Sequence, residues 1–451
     1  MKKIDIITRR KFLKWGGLAA GGALTSGLWK YVLDGRDLNY AYAEELLDIG
    51  TLTKGKLKVG DVLTKENVDL VKDLLTPGNY KLIKEYGERV KIIATETNPI
   101  KIQWKPMIEA TERNLGKAIL DAKQQLWAGK PGVPWLGGTP FTQPKTGLEV
   151  MWNFMIRKNP YDDLKWLGSA APIVDLKKDE KGNYYGKVRE IQNSNYYHIN
   201  TVGRILVDPK PYIPGYETEI FRFMVPGLAP FSLKGLNILG INYLSGDKLP
   251  ESYVYVPALR RVRKVSSTER FESPDGGSQY LSDYDFHSDP VLTWTYKLVG
   301  KKPMLVPRSN SIVRTPKITG NSIERVTPQC DFQLRPEVYV LEAYPTGFPR
   351  APYSKKVLYM DPAAGFRPYI ADIYDRAGNL WRTLYASYYD GPTGKGGYEP
   401  DYSMYYAIDF LKNDCTWRSC IAPGQQLYLH NQGYKMNDLF TTKAIVQLFT
   451  T

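Results

Sequence analysis

Tyr253-Val254-Tyr255-Val256-Pro257-Ala258-Leu259-Arg260-Arg261-Val262-Arg263-Lys264-Val265 is the most ordered text in the chain. Val254, Val256, Ala258 and Val262 share one parity; Tyr253, Tyr255, Arg261 and Arg263 share the other. Period two marks a strand, because successive side chains of a strand point to opposite faces. The stretch predicts one strand with an apolar and a polar-aromatic face. Pro257, which has no N–H for the ladder, predicts an edge position or a bulge. Beyond the turn cluster Ser273-Pro274-Asp275-Gly276-Gly277, residues 291–298 alternate again. Leu292, Trp294, Tyr296 and Leu298 fall on one face, and Thr293, Thr295 and Lys297 on the other. Two long alternating strands with an aromatic face predict the nucleus of a large antiparallel sheet.

The text on either side has the same grammar. Strands are expected over 183–191, 196–207, 217–225, 236–244, 337–344, 355–361, 369–374, 380–389 and 404–411, separated by turn residues. Asp375-Arg376-Ala377-Gly378-Asn379 predicts a hairpin loop. The glycine-rich run 391–397 has no helix after it and does not fit a phosphate cradle. Helical signals sit upstream: Thr64 as an N-cap before the stripe Val68, Val71, Leu74 and Leu75, a stop at Pro77-Gly78, a short helix over 80–86 and another over 109–127. The run 131–144, with Pro and Gly throughout, predicts a loop. A last short helix is expected over 437–449, capped by Asn437. The fold class that follows is α+β: a large curved antiparallel sheet, a half-barrel, with helices at its concave side and an N-terminal helical segment. The expected organisation is a leader over 1–43, a helical and loop segment packed on the sheet over 44–149, and the sheet domain over 150–451.

The chain has 451 residues, 33 Tyr and 10 Trp, an aromatic content suited to sheets. Its formal net charge is +14, of which the first 43 residues carry +5. A basic surface favours anionic partners such as lipid headgroups. The densest cationic run, Arg260–Lys264, sits inside a strand pattern rather than a nucleic-acid-binding tail, so no nucleic acid is expected. The N-terminus reads as an address. Thr8-Arg9-Arg10-Lys11-Phe12-Leu13-Lys14 matches the twin-arginine export signal, a weakly apolar run follows from Trp15 to Leu28, and Ala41-Tyr42-Ala43 is a small-x-small cleavage site. The expected location is the periplasm, reached by the twin-arginine route through Arg9, Arg10, Phe12, Leu13 and Lys14.

No catalytic constellation is legible. His198, His287 and His430 each stand alone, without the paired spacing of a zinc site. Asp283, Asp285 and Asp289 lack the glycine and terminal glutamate of an EF-hand, and read as a solvated strand end. No metal and no cofactor is called for. Cys415 and Cys420 are a candidate disulfide, which leaves Cys330 as a free thiol; a bridge to Cys330 would leave one of the other two over. Arg260, Arg261 and Arg263 would suit the headgroup of an anionic amphiphile at the rim of an aromatic face, with cross-strand pairing to acids as the alternative. Leu292, Trp294, Tyr296 and Leu298 are the candidate lining of an apolar cavity.

Several stretches together resemble one family. They are Asn67 with Val71-Lys72-Asp73-Leu74-Leu75, Gly138-Thr139-Pro140-Phe141, Trp152-Asn153, the Tyr255–Arg263 run, the 283–307 segment with Lys297-Leu298-Val299-Gly300-Lys301-Lys302, and Tyr374-Asp375-Arg376-Ala377-Gly378-Asn379-Leu380-Trp381. The pattern is similar to the bacterial domain of unknown function 1329, whose members are often labelled outer-membrane lipoprotein-sorting-like. The resemblance implies a fold like the Lol lipoprotein carriers, an apolar cavity, and a carrier rather than an enzyme; it supplies no binding residue to carry over. The twin-arginine leader departs from what the family implies. The function expected is a periplasmic carrier for a lipid, a lipoprotein acyl chain or another amphipathic ligand, in traffic toward the outer membrane. An envelope transporter or outer-membrane protein is the expected partner. An exported hydrolase-like enzyme and an assembly factor of an envelope complex are the alternatives.

Overall fold

The computed structural model describes residues 48–156, 159–273, 276–308, 318–323, 325–327, 330–392, 398–419 and 428–448. The leader residues Arg9, Arg10, Phe12, Leu13 and Lys14 and the loop 393–397 lie outside them. Among the described residues one sheet collects 17 strands. Thirteen form its frame: β1 Asp163–Lys178, β2 Tyr184–Asn200, β3 Glu219–Ala229, β4 Asn237–Tyr243, β5 Glu251–Val256, β6 Arg261–Lys264, β7 Thr295–Pro307, β8 Phe332–Tyr344, β9 Tyr353–Asp361, β10 Arg367–Asp375, β11 Leu380–Pro392, β12 Tyr398–Asp409 and β13 Asp414–Ser419. Two antiparallel meanders, β1 to β6 and β7 to β13, join where the last strand meets the first, with Cys415 opposite Val174. Among the described residues β6 and β7 each pair on one side, so the sheet stays open and does not close into a barrel.

The stretch 253–265 is a hairpin, not one strand. Pro257–Leu259 is a turn of 3-10 helix and Arg260 takes a left-handed conformation at φ 48°. Pro257 therefore starts the turn instead of breaking a ladder. The reversal also changes the faces. Arg263 pairs with Val254 and Val262 with Tyr255, so Arg263 and Val254 share a face that the single-strand reading had separated. Likewise Val291–Thr293 is a 3-10 turn and β7 begins only at Thr295.

The helical segment differs in detail. Pro77 opens a helix rather than ending one: α1, Pro77–Lys84, has Thr76 as its N-cap, accepting from the Asn79 N–H at 3.1 Å. Proline suits this first position because its missing N–H has no partner there anyway. The expected 109–127 helix is cut short. Here α2 covers Lys105–Arg113, and 118–128 is a hairpin whose turn is organised by the Asp121 carboxylate, which accepts from the Lys123 and Gln125 N–H groups. The third helix, α3 over Gly147–Met155, carries a complete Thr146/Glu149 capping box. At the C-terminus α4 covers Met436–Leu439 and α5 Ala444–Gln447, with Lys435 rather than Asn437 at the first cap position.

Both faces of β9 to β11 are covered, and one face of β2 to β5. On β9 to β11, α1 docks on one side: the Gly78 N–H donates to Asp372 Oδ2 at 3.1 Å, and a Cβ on Gly78 would stand 1.8 Å from Thr383 Oγ1. An insert, described over 267–273 and 276–294, lies on the other side, where Lys356 and Arg382 point into it. On β2 to β5, α4 and α5 cover Tyr197, Ile199, Met224, Leu239 and Tyr255. A strand covered on both faces loses its polar-apolar alternation, which is why β10 is buried from Arg367 through Ile373.

Candidate functional site

Opposite α4 and α5, the other face of β1 to β3 carries a ladder of rings. Trp166 stacks on Tyr196 at 4.7 Å between centroids, Tyr196 on Phe223 at 6.0 Å, and His198 on Phe221 at 4.7 Å. Alternation on β2 and β3 puts them there: Tyr196 and His198 share one parity, while Tyr197 and Ile199 turn to the terminal helices. The His198 ring is buried. Asn200 uses its amide to donate to the Asn159 and Tyr161 carbonyls, so its Oδ1 accepts from His198 Nε2 at 2.9 Å, and Nδ1 is left to accept from the Tyr196 hydroxyl at 3.1 Å. Burial pushes the Tyr196 phenol well above its ordinary value, so it stays a donor.

The Trp166, Tyr196, His198 and Phe221 rings line a cavity together with Phe154, Arg367, Tyr388 and the insert residues Asp285 and Phe286. It leaves about 20 Å³ for the centres of water molecules, room for about one water. Asp285 and Phe286 are consecutive non-glycine residues in left-handed conformations, φ 47° and 71°, each costing about 1–3 kcal/mol. Tyr405 holds them in place: its hydroxyl donates to the Asp283 carbonyl at 2.7 Å and accepts from the Phe286 N–H at 3.3 Å.

From the rings the same face runs to the sheet edge. Cross-strand register aligns Val225 (β3), Ile238 (β4), Val254 (β5) and Arg263 (β6) in one row. The three aliphatics are half-buried and Arg263 is exposed. Arg261, opposite Val256, projects to the same side. Gly240 leaves the space that the Phe223 ring fills; a Cβ there would come within 2.1 Å of it. At about 4.8 Å per strand, the row from β3 to β6 is about 14 Å long. Lys264 is paired with Glu251 at 3.2 Å, while Arg260, Arg261 and Arg263 are exposed.

The other sequence candidates go elsewhere. Trp294 is in the packed core, 3% exposed: its Nε1 donates to Asp289 Oδ2 at 2.9 Å, and Lys356 Nζ lies 4.9 Å from its ring. Tyr296 packs at Gly147 of α3 and Leu298 is half-buried in the same cluster; Leu292 packs beside Gly246. Trp294 is therefore core, and Leu292, Tyr296 and Leu298 pack half-buried against the same cluster. Nor are the aspartates a solvated strand end. Asp283 is fully buried, 2.6 Å from Arg382 and 2.7 Å from Lys356, and Asp289 pairs with Arg270. Burial alone would raise the Asp283 carboxyl; the Arg382 and Lys356 cations reverse this and hold it below the usual range. Ser282 Oγ lies 3.2 Å from Lys356 Nζ and donates to Asp289 at 2.6 Å. A serine beside a lysine is hydrolase-like, but Ser282, Lys356, Asp283, Asp289 and Arg382 are all sealed from solvent, so this cluster anchors the insert. Cys415 is a buried free thiol that accepts from Trp417 Nε1 at 3.2 Å, the buried Cys330 thiol donates to the Ser387 hydroxyl at 2.9 Å, and Cys420 lies outside the described residues.

Tyr196, His198, Phe221 and Phe223 were legible as strand residues, but nothing in their spacing singled them out as a site. Lys356 and Arg382 gave no signal, since their partner is far away in sequence.

Among solved structures, the chain is similar to a putative outer membrane lipoprotein-sorting protein domain from Vibrio parahaemolyticus, at 16% identity and a TM-score of 0.43, covering 66% of this chain and 98% of that one. It is also similar to a DUF1329 family protein from Desulfovibrio piger, at 15% identity and a TM-score of 0.43 over 66% of this chain and 97% of that one. A LolA superfamily protein from Nitrosomonas europaea matches at 14% identity and a TM-score of 0.37, over 66% and 99%. In sequence, the uncharacterized protein PA3922 of Pseudomonas aeruginosa is 27% identical over 340 residues, 73% of this chain and 70% of that protein. The family profile described as protein of unknown function (DUF1329) matches residues 62–446, and the chain belongs to that family.

Proposed function

We propose that this protein is an envelope binding or carrier protein for an anionic amphiphile. The apolar part of the ligand lies along Val225, Ile238 and Val254 beside the Tyr196 and Phe223 rings, and its headgroup meets Arg263 and Arg261. The observation that carries this is the row itself: half-buried aliphatics in register, ending on exposed guanidiniums of the same face. A planar guanidinium binds carboxylate or phosphate with two parallel hydrogen bonds. The cavity among the rings has room for about one water, so the ligand lies along the row rather than inside that cavity. The leader motif 8–14 supports export by the twin-arginine route and a periplasmic site of action. Traffic of a lipid or lipoprotein acyl chain toward the outer membrane, with an envelope transporter or outer-membrane protein as acceptor, is the role this reading favours.

The test uses dansylaminoundecanoate, a fluorescent fatty acid. Saturable binding is expected, weakened about tenfold or more in Arg263→Glu, since a hydrogen bond to a charged group contributes about 1.5–3 kcal/mol. The melting temperature should be unchanged. Absence of saturable binding, or equal binding by the variant, refutes the proposal.

A further inference from the structure

The two hairpin tips at this edge lie side by side. Asn237, at the start of β4, pairs with Tyr255 near the end of β5. The β3–β4 tip, 228–236, is therefore the neighbour of the β5–β6 tip, 257–260. Both tips present apolar side chains to solvent. Phe231 is 93% exposed, Leu259 56% and Leu228 42%. The β3–β4 tip is tied down by backbone bonds, Gly227 N–H to the Leu236 carbonyl at 2.8 Å and Gly235 N–H to the Gly227 carbonyl at 2.9 Å. Phe231 is thus held outward by an ordered turn.

The charge around them has one sign. Lys234, Arg260 and Arg261 are exposed at the tips, and neither 226–236 nor 252–268 contains an acidic residue. On the adjoining β2, the Glu190 carboxylate is taken by Gln192 Nε2 at 2.7 Å. Exposed large apolar side chains ringed by cations fit the interface of an anionic bilayer. The ring enters the boundary between headgroups and acyl chains, and the cations stay at the phosphates. A protein partner would instead ask for a broader, flatter apolar patch.

The geometry points to these two tips as a membrane-docking edge, by which the protein sits on an anionic lipid surface through Phe231, Leu259, Lys234 and Arg260. The inference goes beyond the amphiphile site and uses different residues, so each can fail alone.

The experiment is vesicle co-sedimentation of the exported protein, with phosphatidylglycerol–phosphatidylcholine vesicles against phosphatidylcholine alone. The wild-type protein is expected to pellet with the anionic vesicles only, less so at high salt. Each cation near such a surface contributes about 1 kcal/mol, about fivefold in partition, so Lys234→Ala with Arg260→Ala should lose about 25-fold. Phe231→Ser with Leu259→Ser should lose severalfold while the thermal melt and fatty-acid binding stay as in the wild type. In Phe231→Trp, the emission of the new indole should shift to the blue on adding anionic vesicles. Failure of the wild type to pellet, pelleting unchanged in both double variants, or no emission shift would overturn the inference. So would capture of the tips by an envelope protein with no affinity for vesicles.

Discussion

Asp283→Ala tests the anchoring of the insert most directly. In the native protein the carboxylate is fully buried between Lys356 Nζ at 2.7 Å and Arg382 Nη1 at 2.6 Å. Removing it strands two buried cations. Lys356 keeps only the Ser282 carbonyl at 2.8 Å, its hydroxyl at 3.2 Å and the Trp294 and Tyr353 ring faces; Arg382 keeps the Ser278 carbonyl at 3.3 Å and the Tyr280 ring at 3.9 Å. Neutral partners do not offset the desolvation of two charges, and breaking a buried pair from one side costs about 3–5 kcal/mol. The triple variant Asp283→Leu, Lys356→Met, Arg382→Met removes all three charges and is expected to recover most of that loss, because a well-packed apolar replacement is often neutral or better. Guanidinium denaturation followed by tryptophan fluorescence measures both, compared at equal slope. The sign with pH follows from the depressed carboxyl. The cluster's contribution is present above the ordinary carboxylate pKa of about 4 and is lost as pH falls through the lower folded value. An Asp283→Ala loss under about 1 kcal/mol, or a triple variant as unstable as the single, would refute the account, since 3–5 kcal/mol is the expected cost of the stranded charges.

Trp294→Ala should cost about 3–5 kcal/mol as a core truncation; a small loss of stability with a large loss of fatty-acid binding would instead make this face a ligand wall. Gly240→Val should displace the Phe223 ring from the space it fills and weaken fatty-acid binding more than the melt, and unaltered binding would remove Phe223 from the site. Burial raises Glu88 to about 7 and Asp372 to about 6. Both therefore support the fold below the ordinary carboxylate pKa of about 4, and that support falls as pH rises from there to about 6 for Asp372 and about 7 for Glu88. Glu88→Gln, which still accepts from the Thr327 N–H, should flatten the fall in stability across that window, and an unchanged pH profile would rule Glu88 out. Burial also pushes the Cys415 thiol up to about 12, so native protein at neutral pH should leave Cys415 unalkylated until denatured; rapid labelling, or a peptide map joining it to Cys420, would contradict a buried free thiol.

Local text was enough wherever one face of a strand meets water. The alternation of β3 and β4, the Asp375–Asn379 hairpin and the antiparallel sheet follow from the period-two pattern and its turn residues, because those signals come from neighbours in sequence. What the tertiary structure decided are the pairings of distant residues. A reversal of the chain at Pro257–Arg260 put Arg263 beside Val254, and parity counted along one strand cannot see a turn that resets it. The insert that buries Trp294 is fixed by Asp283 reaching Lys356 and Arg382, 73 and 99 residues away, and a charge pays its desolvation only against a partner that the fold supplies. The aspartates therefore looked solvated and the aromatic stripe looked like a cavity wall. Whether an amphipathic strand faces a ligand or a core depends on what lies across from it, and that is set by topology rather than by the strand's own residues.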